Sequence, residues 1–71
     1  MKIYVTFGQT HTHRVNNATL DRDCVAVIDC DNHAQGRNLA FEFFNREFYT
    51  TYTDLERVGI EYYPRGLIQV N

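Results

Sequence analysis

Cys24-Val25-Ala26-Val27-Ile28-Asp29 runs straight into Cys30-Asp31-Asn32-His33, and the change of pattern at that junction decides the fold. The first six residues are apolar almost without interruption, which suits a central strand covered on both faces. Asp31 and Asn32 are good helix N-caps, and Gln35 stands at the third helical position if Asn32 is the cap. From His33 to about Asn45 the spacing predicts a helix with Gly36, Ala40, Phe43 and Phe44 on one face, flanked by Leu39 and Phe41. A glycine inside a helix costs about 0.5–1 kcal/mol relative to alanine. A close approach of the helix to a strand would explain Gly36, and so would simple tolerance.

Working outward, Lys2-Ile3-Tyr4-Val5-Thr6-Phe7 is β-branched and aromatic throughout and predicts a strand, with Ile3, Val5 and Phe7 on one face and Tyr4 and Thr6 on the other. Gly8 breaks that run. Gln9 to Val15 reads as a second strand, Asn16-Asn17 as a tight turn, and Thr19-Leu20 as the return. Asp21-Arg22-Asp23 is a charged connection. Beyond the helix, Phe48 to Thr53 is a strand, and Asp54 to Gly59 a loop or single helical turn. Ile60 to Tyr63 is a candidate short strand, Pro64-Arg65-Gly66 a turn, and Leu67 to Val70 a closing strand. The order β-β-β-α-β-β, with room for one more short strand, predicts an α+β two-layer sandwich: a single helix on a mainly antiparallel sheet. The strands on either side of the helix could be parallel neighbours through a crossover.

The 71 residues are expected to form one small domain, residues 1–71. A core of this size supplies only a few kcal/mol of net stability, so self-association would help it, and a homo-oligomer is expected. Seven basic residues are scattered among nine acidic ones, for a formal charge of −2. No basic stripe is visible, which argues against nucleic acid as the partner. No apolar run approaches the length of a membrane span and no secretory leader is visible, so no membrane role is expected. Cys24 and Cys30 would lie about 20 Å apart on an extended strand, too far for a disulfide. They read as small buried hydrophobes in a reducing, cytoplasmic setting.

Phe7-Gly8-Gln9-Thr10-His11-Thr12-His13-Arg14 holds two of the three histidines. If it is extended, His11 and His13 point to one face, about 6–7 Å apart. They are candidate ligands for a divalent metal if Asp21, Asp23 or His33 joins them. The same pair, with the Arg65 guanidinium held in its rigid turn, also suggests a pocket for phosphate or carboxylate. Gln9 would contribute to that pocket, and Tyr62, Tyr63 or Phe7 would offer a stacking surface. Against this stand ordinary roles: solvated imidazoles, and an Arg65 that only caps a turn or pairs with Glu61. Cysteine chemistry at Cys24 or Cys30 is disfavoured because a thiol in an apolar run is inert. Five tyrosines are many for one small core, and tyrosine suits interfaces.

Phe7-Gly8-Gln9 with His11 and His13, Asp21 and Asp23, Val25-Ala26-Val27-Ile28, Ala40-Phe41-Glu42-Phe43-Phe44 and Pro64-Arg65-Gly66 together resemble a group of very small bacteriophage-encoded proteins. The likeness spans nearly the whole chain. It implies a phage origin and the bacterial host's cytoplasm as the place of action, and it carries no catalytic mechanism or cofactor with it. Small phage accessory proteins often bind a host factor, antiviral-defence proteins and nucleotide signals among them. The reading of the sequence is therefore a binding protein that sequesters or blocks a host protein or a nucleotide-like small molecule. The rival is a metal-assisted hydrolase built on the His-x-His pair.

Overall fold

The computed structural model describes residues 1–15 and 17–71. The strands are β1 (Lys2–Thr6), β2 (His13–Val15), β3 (Ala18–Leu20), β4 (Cys24–Asp29), β5 (Thr50–Tyr52) and β6 (Gly66–Gln69). The helices are α1 (His33–Phe44) and the single turn α2 (Leu55–Val58), followed by a 3₁₀ turn at Ile60–Tyr62. The chain is α+β: one main helix and a short one on a mostly antiparallel sheet. The four-stranded sheet has the order β5-β1-β4-β6, and β2 and β3 form a separate hairpin. Four strands rather than three precede α1, because the return at 18–20 is itself paired. Of the expected Asn16-Asn17 turn, Asn16 lies outside the described residues, and Asn17 has the positive φ of 67° that such a turn needs.

β4 is central for the reason its sequence suggests. Val25, Ala26 and Ile28 are fully buried, and Val27 is nearly so. The antiparallel register Ile3↔Ile28 and Val5↔Ala26 puts those four side chains on one face, under α1. Phe7, Leu20, Cys24, Ala40, Phe44 and Val70 join them in that core. Asn32 caps α1 by accepting from the Gln35 N–H at 2.8 Å. Gly36 is the point of closest approach: a Cβ there would stand 2.9 Å from both Cys30 Sγ and Ile3 Cγ2. The glycine is present because the helix lies directly on the sheet.

The other face of the sheet carries Thr6, Val25 and Val27. It too is covered, by a thin layer formed by α2, with Val58 buried, and the 3₁₀ turn that follows. Residues 60–62 coil rather than pair, which corrects the expectation of a short strand there; Gly59 at φ 72° turns the chain into the 3₁₀ turn. A second correction concerns the crossover. The strand after α1 does not lie beside β4; β5 pairs antiparallel with β1. The parallel neighbour of β4 is β6, in the register Ala26↔Ile68.

Candidate functional site

The expected strand from Gln9 to Val15 begins only at His13. Gly8 takes φ +66° and residues 8–10 form a turn, so strand alternation does not set the two histidines side by side. His13 opens β2 with its ring packed against Phe7 and Phe44, at centroid distances of 5.8 and 5.2 Å. Its Nε2 lies 2.6 Å from the Glu47 carbonyl oxygen. The imidazole thus ties the hairpin to the chain just beyond the end of α1. His11 is half-buried in the irregular link and makes no hydrogen bond or ring contact among the described residues. A metal site on this pair needs a third ligand, and among the described residues no group of three His, Cys, Asp or Glu side chains converges.

Arg65 does sit in a fixed turn, but its guanidinium faces an acid. Nη1 lies 3.3 Å from Asp21 Oδ1, and the Arg65 N–H donates to the Asp23 carbonyl at 2.8 Å. Lys2 likewise meets an acid, pairing with Asp29 at 2.9 Å. Cys24 is fully buried, and burial pushes its thiol pKa up, outweighing the Asp21 backbone contact and the Arg65 charge that pull it down. A protonated, enclosed thiol is not a nucleophile.

Gln9 and Tyr62 belong to a different place. With Thr6, Gly8, Arg22, Tyr49 and Tyr63 they line a cleft of about 390 Å³ on the face of the sheet opposite α1. Each wall has a local cause. The Gly8 turn swings Gln9 over the end of β1. The Tyr49 N–H donates to the Thr6 carbonyl at 2.8 Å, which brings the tyrosine across that same end. Gly8 has no Cβ, and one built there would stand 3.3 Å from Tyr49 Cβ. Tyr62 rides on the 3₁₀ turn that begins at Gly59. Tyr49 and Tyr62 are 72 % and 79 % exposed, so the cleft is lined in part by accessible aromatic surface.

The deep end of the cleft is polar and uncharged. Thr6 is 1 % exposed, and its Oγ1 has no hydrogen-bond partner among the described residues. The Tyr63 phenol lies near it. Burial raises the pKa of that phenol, the neighbouring Tyr52 and Tyr49 raise it further, and Thr6 lowers it only in part. Thr6 thus acts on the Tyr63 phenol, although no hydrogen bond of ordinary geometry reaches its Oγ1 among the described residues. Arg22 is exposed, lines the same cleft, and makes no hydrogen bond or ion pair among the described residues.

Sequence reasoning read Asp21-Arg22-Asp23 as a solvated connection and passed over Arg22. The usable signal was Thr6: strand alternation had already set it apart from Ile3, Val5 and Phe7. Scans of known protein families, curated proteins and solved structures find no match to this chain. Among the described residues no helix is long and apolar enough to cross a membrane.

Proposed function

We propose that this chain is a small binding protein that captures a flat-ring, anionic small molecule of nucleotide type in the tyrosine cleft and performs no chemistry on it. The observation that carries the reading is the convergence, in one cleft, of aromatic side chains, a guanidinium with no ion pair among the described residues, and a buried hydroxyl with no hydrogen bond of ordinary geometry among them. Ligand sites combine apolar and aromatic lining with a few placed polar groups in this way. A buried hydroxyl without a partner costs roughly 1–3 kcal/mol, and a ligand that satisfies it recovers that cost on binding. Among the described residues the lining holds phenols, a hydroxyl, an amide and a guanidinium, and no histidine, carboxylate or thiol. It thus offers no group poised to take a proton near neutral pH, which favours capture over turnover.

The resemblance to small phage proteins supplies the setting of this reading: a host cytoplasm in which such a protein acts by sequestration. The exposed rings of Tyr49 and Tyr62 also support a second reading, in which the same rim grips a host protein or another copy of this chain. A thermal-shift panel of nucleosides, nucleotides and aromatic carboxylic acids separates the two. A ligand that binds only the native state at 100 times its Kd adds about 2.7 kcal/mol of stability, an easily read rise in Tm. A Tm that stays flat across the whole panel rules out the small-molecule reading.

A further inference from the structure

We infer that the cleft takes a nucleoside monophosphate with its base inward, on Thr6 and Tyr63, and its single phosphate outward, on Arg22. This rests on the small-molecule reading above and gives it a ligand class and an orientation.

Three observations set the orientation. The inner end holds the buried Thr6 hydroxyl, which makes no hydrogen bond of ordinary geometry among the described residues, and the Tyr63 phenol; among the described residues that line the cleft no cation is as deeply buried. A phosphate pushed there would lose its hydration with no opposite charge to replace it, an expensive burial. The edge of a base carries neutral donors and acceptors, which are what a lone hydroxyl and a protonated phenol can satisfy. Burial raises the Tyr63 pKa, so this phenol keeps its proton near neutral pH. At the rim the position is reversed: Arg22 is exposed, has no acidic partner among the described residues, and presents a fork suited to a phosphate that stays partly in water. Tyr49 and Tyr62, both exposed, offer the same cleft aromatic surface on which a base would stack.

Size and charge set the class. A volume of about 390 Å³ lies near the lower end of the range of roughly 300–1,000 Å³ for ligand pockets. One base with its sugar fits such a space; two nucleotides do not. Arg22 is the one cation lining the cleft among the described residues, and its chain neighbours Asp21 and Asp23 are acidic. Further phosphates would add negative charge without a further partner.

Calorimetric titration of the whole chain tests this, with AMP, GMP, CMP and UMP set against their nucleosides and against ADP and ATP. A charge-assisted hydrogen bond predicts that the preferred monophosphate binds about tenfold or more tightly than its nucleoside. ADP and ATP bind no tighter. Arg22→Gln brings the monophosphate down to the nucleoside's affinity and leaves the nucleoside unchanged. Thr6→Val weakens nucleoside and monophosphate alike, with its fold checked by thermal melting. If ATP binds tenfold tighter than AMP, or Arg22→Gln weakens the bare nucleoside equally, or Thr6→Val changes nothing, the orientation is wrong while the binding-protein reading stands. If no nucleoside or nucleotide binds but an aromatic carboxylic acid does, the nucleotide class is wrong. If nothing in either panel binds, both inferences fall together.

Discussion

Thr6 is 1 % exposed and its hydroxyl makes no hydrogen bond of ordinary geometry among the described residues, so replacement by valine, which is close to it in shape, removes a poorly satisfied buried polar group. We expect Thr6→Val to raise unfolding stability by about 1 kcal/mol in urea melts while weakening the ligand, the exchange of stability for function common at binding sites. A loss of stability would mean that the Tyr63 phenol satisfies Thr6 after all. Gly36 points the other way. Alanine would gain about 0.5–1 kcal/mol of helix propensity, but its Cβ would stand 2.9 Å from Ile3 Cγ2 and Cys30 Sγ. Overpacking of this kind costs about 1–3 kcal/mol. Because Ile3 is held within the sheet, we expect Gly36→Ala to lose about 1–2 kcal/mol net; a rise in Tm would show that the helix can slide. Titration gives a third expectation. Folding raises the pKa of Cys24 and of Tyr63 above their ordinary values of 9.0 and 10.0. A raised pKa means that the folded chain holds the proton more tightly. The stability involved is complete below the ordinary value and is lost as pH climbs through the folded one. Urea midpoints should be steady up to about pH 9 and fall above it, and Tyr63→Phe should remove the part of the fall that begins near pH 10. An identical fall in that variant would exclude Tyr63 as a source.

At the scale of elements, α1 and β4 are consistent from local signal to packing: the Asn32 cap, the apolar stripe and the uninterrupted strand all agree with their neighbours. The β2–β3 hairpin is different. It has only three residues in each strand, and it is docked by Leu20 and by His13 between Phe7 and Phe44. We expect His13→Ala to cost about 1–2 kcal/mol through the lost Glu47 carbonyl contact and the lost ring packing. Amide exchange should then speed up in β2 and β3 before it does in β4. Uniform acceleration would show that the hairpin is integral to the main sheet. The contrast with a core ring is large: Phe44 is fully buried against Phe7 in an edge-to-face pair at 5.0 Å. Phe44→Ala should cost about 3–5 kcal/mol, comparable to the whole stability of a chain this small.

At the scale of the whole molecule, the separation of Arg22 from Arg65 follows from the sheet order. With β6 beside β4, the Pro64 turn falls against the 21–23 connection, and Arg65 is absorbed by Asp21. That pair is partly exposed to solvent and is worth about 1 kcal/mol at most. We expect Arg65→Ala to leave nucleotide affinity unchanged while Arg22→Gln lowers it. The opposite ranking would return the site to the proline turn.

The sequence by itself determined the α+β class, the helix with its cap, the central strand, and the division of β1 into a face toward the helix and a face away from it. Those features depend on periodicity and capping, which are local. Only the tertiary structure decided that His13 serves as a packing group and that Arg65 meets an acid. It alone brought Gln9 and Tyr62 into one cleft with Thr6, Arg22, Tyr49 and Tyr63. Each of those outcomes depends on which distant segments the sheet order and the positive φ of Gly8 and Gly59 bring together, and spacing along a chain carries no record of that.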